Sequence, residues 1–517
     1  GFFKALMALR SQTLPPTIKV AQPNPNLNIE SSPLYINTES RPWVRDHSHP
    51  RRAGVSAFGF GGSNFHIVLE EYKGANAAPR LRSLSHELCV FASDTTDGLE
   101  AHLRSVLERD ERVSFARLVW ESQQAFDASL PHRLTMVATD RTDLIEKIQS
   151  ALSKGFESAY TLPTGVFYAT GTGHTGEIGF LFPGQGAQVV NMGSHVAQAF
   201  PQSMEVWDFA AEIDRINKRD PLHKVVFPIP AFTEADRKAQ QTHLTKTQWA
   251  QPAIGVTSLA LLNLLKDLKL EATRCAGHSY GELTALYYAG AYNEQHFIET
   301  SQKRGELMNA AADLPGAMSA VKGSAKKIQP LLDEWNKAHN IEVVIANHNS
   351  PKQSVLSGPV PDIEKVEALL EEAGMFAQRL GVATAFHSKV VAGSVGPFES
   401  YLRGLPLKTP TKPIYAKLRA KPYEDQVVAT LSKQIASPVR FVEVVEQMYA
   451  DGVRTFVEVG PGQILGKLAK SILRKKEANI VSLDRPKQSD LRGLLTGLAE
   501  LLSLGIPMEL NALWTGY

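Results

Sequence analysis

Gly277-His278-Ser279-Tyr280-Gly281-Glu282 lies between an apolar approach, Arg274-Cys275-Ala276, and a run that reads as a helix, Leu283-Thr284-Ala285-Leu286-Tyr287-Tyr288. Gly-x-Ser-x-Gly on the bend from a strand into a helix is a nucleophile-elbow arrangement. The two glycines let the backbone turn sharply and let neighbouring elements pack close. The Ser279 hydroxyl is then presented at a helix N-terminus, whose N–H groups favour developing negative charge. The bare pattern also occurs in surface turns, so its meaning rests on partners elsewhere in the chain.

Before the elbow, Glu177-Ile178-Gly179-Phe180-Leu181-Phe182 reads as an apolar strand that runs into Pro183-Gly184-Gln185-Gly186-Ala187-Gln188 and a helix from about 190. The turn could cradle a phosphate, but the Gly-Lys-Ser/Thr of a nucleotide loop is missing. An oxyanion-binding loop that offers the backbone N–H of Gln185 to the elbow is the better reading. Residues 253–268 have helical periodicity and follow Thr247-Gln248-Trp249-Ala250-Gln251-Pro252. After the elbow, 294–313 reads as a helix that carries Arg304.

From Gly316 the period changes. Strands at 317–321, 343–347, 354–357 and 377–380, with helices at about 325–338 and 361–374, give β-α-β-β-α-β, the order of a ferredoxin-like unit inserted in a larger α/β body. The chain returns at Thr384-Ala385-Phe386-His387-Ser388, and the strand Thr455–Val459, the turn Gly460-Pro461-Gly462 and a further helix complete the body. A last amphipathic helix, about 489–503, leads to an aromatic tail, Trp514-Thr515-Gly516-Tyr517.

At 517 residues the chain divides into roughly three or four domains. Hydrophobic residues make up 43% and charged residues 21%, the balance of a soluble globular protein, and a net charge of +2 offers no bulk case for nucleic acid or an acidic membrane. No apolar run approaches the roughly 20 residues that span a bilayer. Two cysteines, Cys89 and Cys275, are too few for a disulfide framework or a zinc site, as a reducing cytoplasm would permit. No metal site is expected. The N-terminal Gly1-Phe2-Phe3-Lys4-Ala5-Leu6 is amphipathic, lacks a starting methionine and reads as a cut inside a longer polypeptide.

Residues 1–72, ending in Ala53-Gly54-Val55-Ser56-Ala57-Phe58-Gly59-Phe60-Gly61-Gly62-Ser63-Asn64-Phe65-His66-Ile67-Val68-Leu69-Glu70, resemble the C-terminal tail of a thiolase-like ketosynthase. That family's catalytic cysteine and histidines would lie upstream, so no condensing activity is expected of this stretch, and His66 is read as structural. Strands at 88–92 and 133–138 among helices at 96–109, 113–125 and 141–154 resemble the linker domain between ketosynthase and acyltransferase in type I polyketide and fatty-acid synthases.

Gly184-Gln185-Gly186, the elbow, Arg304, Thr384-Ala385-Phe386-His387 and Gly460-Pro461-Gly462, in that order, resemble a malonyl-type acyltransferase. The resemblance covers the whole chain. It implies a ketosynthase tail at 1–72, a linker domain at 73–175, an acyltransferase large subdomain at 176–315 and 386–480, a ferredoxin-like small subdomain at 316–385, and a post-acyltransferase linker at 481–517. It implies an α/β-hydrolase-like body in which Ser279 attacks and His387 takes its proton. Serine is a weak nucleophile at neutral pH, and an imidazole with a pKa near 6.5 is suited to activate it. The backbone carbonyl of Gln434 would orient the ring, and the backbone N–H groups of Gln185 and Tyr280 would bind the oxyanion. Arg304 would grip the malonyl carboxylate as a bidentate fork, with Gln251 supporting it. His278 is expected to support the turn and His348 to lie in a loop of the small subdomain. Phe386 before His387 resembles the His-Ala-Phe-His form associated with malonyl over methylmalonyl, although Thr384 departs from its first histidine.

The substrate so implied is malonyl-CoA. The partners are acyl-carrier-protein domains bearing phosphopantetheine and the ketosynthase of the same chain, with no bound cofactor and a monomeric fragment. Leu14-Pro15-Pro16-Thr17-Ile18 and Gly281-Glu282-Leu283-Thr284-Ala285-Leu286 look most like the first subunit of a bacterial polyunsaturated fatty-acid synthase, with an enediyne-type iterative polyketide synthase a close second. Two further classes use the same residues differently: an acyl hydrolase that passes the acyl group to water, and a docking scaffold in which the elbow is inert.

Overall fold

The computed structural model describes residues 1–517 apart from 78, 312–313, 382–383, 425, 486–489 and 517, and apart from the side chain of residue 30. Position 489, the expected start of the last helix, and Tyr517 of the aromatic tail lie outside the described residues.

A six-stranded sheet forms the centre of the body, in the order Lys421–Pro422, Ile414–Ala416, Arg274–Gly277, Glu177–Phe182, Val453–Glu458, Asn479–Ser482. The last five strands are parallel and the short first one is antiparallel. Strands covered on both faces read as continuous apolar runs, and their side chains alternate between two cores. Phe180, Phe182, Cys275 and Val457 face one core, whereas Leu181, Ala276 and Phe456 face the other. Both cysteines are free and buried.

The helix Thr247–Asp267 begins two turns before its expected start, because Pro252 is accommodated inside it. The helix Glu294–Ala310 packs along it so closely that a Cβ on Gly305 would meet the Thr247 carbonyl oxygen at 2.9 Å. Glycine at 305 is what allows the neighbouring Arg304 to reach Gln251. The helix expected from about 190 begins only at Ser194, since Asn191 and Gly193 have φ of +66° and +71° and keep the chain turning.

The small subdomain is a four-stranded antiparallel sheet in the order Val344–Ser350, Gln353–Pro359, Gly316–Val321, Ala377–Arg379, with helices Ala325–His339 and Val360–Glu372. This is the ferredoxin-like arrangement. It is stitched to the body where the His348 N–H donates to the Val439 carbonyl at 2.9 Å and the Val439 N–H to that of Ala346 at 2.7 Å. His348 therefore sits on a strand rather than in a loop, with Nδ1 3.2 Å from the Glu443 carboxylate.

A second antiparallel sheet, Glu87–Ser93, His132–Ala138, Val166–Ala169, Tyr160–Leu162, forms the small N-terminal α/β unit. The helix Arg492–Ser503 covers it, and Thr135 Oγ1 donates to the Ala499 carbonyl at 2.7 Å. The hairpin of Arg52–Phe58 and Asn64–Glu70 pairs only with itself among the described residues and leaves Phe58, Phe60 and Phe65 exposed. Among the described residues no helix is long and apolar enough to cross a membrane.

Candidate active site

The strand Arg274–Gly277 ends at the elbow, and the helix Gly281–Tyr288 leaves it. Ser279 has φ of +52°, a left-handed conformation that costs a non-glycine residue about 1–3 kcal/mol and persists only when the surroundings impose it. They do so by contact. A Cβ on Gly277 would lie 1.9 Å from the Gly281 carbonyl carbon, and one on Gly281 would lie 2.0 Å from the Phe182 carbonyl oxygen. The loop after Glu177–Phe182 is pressed onto the same turn, since a Cβ on Gly184 would meet the His278 oxygen at 2.2 Å. Tyr280 is fully buried with its hydroxyl 2.7 Å from Ser301 Oγ.

His387 reaches this turn from 108 residues downstream, and its Nε2 lies 2.7 Å from Ser279 Oγ. Its own φ is +60°. Ser388 Oγ anchors the segment by donating to the Ala385 carbonyl at 2.7 Å. Burial pushes the imidazole well below its ordinary pKa, and the charges of Lys417, Arg304 and His278 act in the same direction. A hydrogen bond to the Gln434 backbone carbonyl pulls the other way. On the ring's far side, Lys417 Nζ is 3.0 Å from Nδ1. Lys417 is buried, and that burial holds its ammonium well below the usual lysine range, against the attraction of Glu282.

Glu282, the last residue of the elbow sequence, is fully buried and organises this side. Its carboxylate accepts from the Tyr423 hydroxyl, from the Lys417 N–H at 3.3 Å and from Gln434 Nε2 at 3.4 Å. Gln434 Nε2 also donates to the Ser279 carbonyl at 2.5 Å. His278 Nε2 lies 2.8 Å from Asn349 Oδ1, so this residue ties the elbow to the small subdomain as well as supporting the turn, and burial lowers its pKa to about 4.

Arg304 is completely buried. One Nη donates to Gln251 Oε1 at 2.7 Å and the other to Gln434 Oε1 at 3.0 Å, while Nε has no partner among the described residues. Among them it forms no ion pair with a carboxylate. Burial lowers its pKa to about 10. A cavity of about 720 Å³ opens over the pair between the body and the small subdomain. Its walls include Gln185, Gln251, Ser279, Met308, Phe386 and His387. Arg304 lies behind this wall, and Gln251, which holds it, is part of the wall. A smaller cavity of about 350 Å³, lined by Lys467, Lys470, Arg485 and Arg492, contains none of these residues.

The residues singled out in the sequence converge on this one place. Lys417, Tyr423 and Asn349 were not among them. The available signal for Lys417 was its position just past Ile414–Ala416, the parallel neighbour of the elbow strand, because sites in parallel sheets form at the carboxyl ends of strands.

Residues 179–507 match the family model "Acyl transferase domain". The chain belongs to that family. It is an acyltransferase, and a second model, "Ketoacyl-synthetase C-terminal extension", matches residues 23–137. Over 98% of its length the chain is 31% identical to one polypeptide of the polyunsaturated fatty acid synthase of Thraustochytrium sp. (strain ATCC 26185 / S-3), of which it spans 19%. Among solved structures, the acyl transferase domain of ZmaA superposes with a TM-score of 0.74 at 22% identity, covering 84% of this chain and 97% of that one. The malonyl CoA-acyl carrier protein transacylase from Clostridium perfringens Atcc 13124 superposes with a TM-score of 0.56 at 29% identity, covering 63% of this chain and 97% of the other.

Proposed function

We propose that this acyltransferase moves a malonyl group from malonyl-CoA to the phosphopantetheine thiol of an acyl carrier protein by way of a Ser279 ester. Ser279 gives its proton to His387 Nε2 as Oγ bonds to the thioester carbonyl carbon. The oxyanion is held by the backbone N–H groups of Gln185 and Tyr280. Collapse expels the coenzyme A thiolate, which takes the proton back from the imidazolium. The carrier thiol then repeats the sequence in reverse, losing its proton to His387 and leaving Ser279 protonated. The Gln434 carbonyl helps to orient the ring.

The observation that carries the reading is the pairing of a 2.7 Å Ser279–His387 contact with a buried Arg304 that has amide partners and, among the described residues, no carboxylate partner. A buried cation with no carboxylate in direct contact is costly, and a substrate that brings its own carboxylate reduces that cost by a charge-assisted fork. Gln251 would shift to admit it. Phe386 in the cavity wall supports malonyl over its methyl-branched analogue.

On this reading residues 1–72 are the tail of a ketosynthase and 73–175 the linker domain, within a polyunsaturated fatty-acid or polyketide synthase. The exposed aromatics of the Arg52–Glu70 hairpin support the need for a neighbour. A chase experiment tests the transfer. The enzyme is loaded with radiolabelled malonyl-CoA, freed of excess, and mixed with phosphopantetheinylated carrier protein. Label should pass to the carrier. Release as free malonate at the same rate with and without carrier would make the protein a hydrolase.

A further inference from the structure

Lys417 occupies the place on the imidazole where a serine–histidine pair needs a proton acceptor. Its strand, Ile414–Ala416, runs parallel to the elbow strand, so Lys417 leaves the sheet at the same edge as Ser279. Nζ stands 3.0 Å from His387 Nδ1 while Nε2 faces Ser279 Oγ at 2.7 Å. The side chain is 1% exposed, and its backbone N–H is fixed by Glu282 Oε2 at 3.3 Å. Among the described residues Nζ forms no ion pair with a carboxylate. The titratable and charged groups around it are Glu282 on the elbow helix, Arg304 from Glu294–Ala310, His278 and His387, and Tyr423 bonds to the Glu282 carboxylate.

The charge state of Nζ decides which ring nitrogen carries the proton. An ammonium would donate to Nδ1, put the ring proton on Nε2 and aim it at Oγ, which blocks the base. It would also place a second cation beside the buried Arg304, with the single carboxylate of Glu282 acting on both. An amine instead accepts the Nδ1 proton, alongside the Gln434 carbonyl, and leaves the Nε2 lone pair facing the serine hydroxyl.

We propose that Lys417 is a positioning residue for the acyl transfer: as an amine it accepts the Nδ1 proton of His387, holds the ring in the tautomer that can take the Ser279 proton, and stabilises the imidazolium formed on attack. The inference deepens the acyl-transfer reading and rests on it. In the acylation step the Ser279 O–H bond breaks, the proton goes to Nε2, and the Oγ electron pair forms the bond to the thioester carbon. The second ring proton stays in the Nδ1–H to Nζ hydrogen bond and returns unchanged when the thiolate leaves with the proton on Nε2. A neutral acceptor does this without placing a new anion beside the carboxylate that Arg304 would bind.

Three substitutions separate an acceptor from a donor and from mere packing. Single-turnover acylation by malonyl-CoA is measured for Lys417→Met, Lys417→Gln and Lys417→Arg, with thermal unfolding recorded for each. Lys417→Met should slow acylation about 10–100-fold while changing the malonyl-CoA KM by less than about twofold. Lys417→Gln, whose amide oxygen can accept, should be faster than Lys417→Met, and Lys417→Arg, which can only donate, should be the slowest. Wild-type rates in Lys417→Met, or Lys417→Arg equal to or faster than Lys417→Gln, would overturn the proposal. If Lys417→Met does not fold, the order of the Gln and Arg variants decides alone. A wild-type enzyme that takes no label at all would instead defeat the acyl-transfer reading.

Discussion

On either side of Ser279 lies a buried basic side chain, and the two are built from different chemistry. Arg304 is a guanidinium that keeps its proton in any protein environment, and both of its Nη groups already donate to amide oxygens of Gln251 and Gln434. Lys417 is an amine that burial can neutralise, and its terminal nitrogen meets a ring nitrogen. A permanent charge suits the side on which a substrate would bring an anion, and a titratable nitrogen suits the side on which a proton must be handled. Gln434 joins the two sides, since its Oε1 accepts from Arg304 and its Nε2 donates to the Ser279 carbonyl and to Glu282.

Substitutions on each side should fail in different ways, and the largest loss belongs to the proton-handling side. His387→Ala should lower the acylation rate about 10³–10⁴-fold with little change in malonyl-CoA binding, which single-turnover kinetics would register. Arg304→Met should cost about 10²-fold in malonyl transfer while leaving acetyl transfer close to its starting level. Equal losses for both acyl groups would mean that Arg304 supports the fold rather than the substrate. Phe386→Ser should raise methylmalonyl over malonyl selectivity by about tenfold, read from a competition between the two thioesters.

The pH dependence probes the base side. On the proposed mechanism neutral imidazole is the active form, and burial with Lys417 and Arg304 nearby disfavours the imidazolium. Acylation should therefore rise with pH along an acid limb and level off once the His387–Lys417 pair has lost both of its titrating protons, leaving ring and amine neutral together. A rate that fell as the pH rose through this limb would identify the charged ring as the active form.

Much of this arrangement can be read in the residues themselves. The glycines at 277 and 281 announce the bend, and the structure supplies the reason in contacts of 1.9 Å and 2.0 Å that a Cβ would make. The strand and helix periods of 316–380 give the inserted subdomain almost element by element. Three features escape a reading along the chain. Lys417 lies among Lys412, Arg419 and Lys421 and looks like a solvated cation, since only the sheet order brings its strand beside the elbow. Gln434 is legible for its backbone carbonyl, but its side chain also links Arg304, Glu282 and the elbow, which no local pattern records. The early start of the helix at Thr247 is hidden because proline ordinarily argues against a helix interior, and tertiary packing overrides that preference here.

The most direct test is intact mass after the protein is incubated with an equimolar mixture of malonyl-, methylmalonyl- and acetyl-CoA, followed by mapping of the modified peptide. A malonyl adduct on Ser279, absent from Ser279→Ala, is the expected result. An acetyl adduct in preference to malonyl, or any adduct that persists in Ser279→Ala, would contradict transfer through this serine.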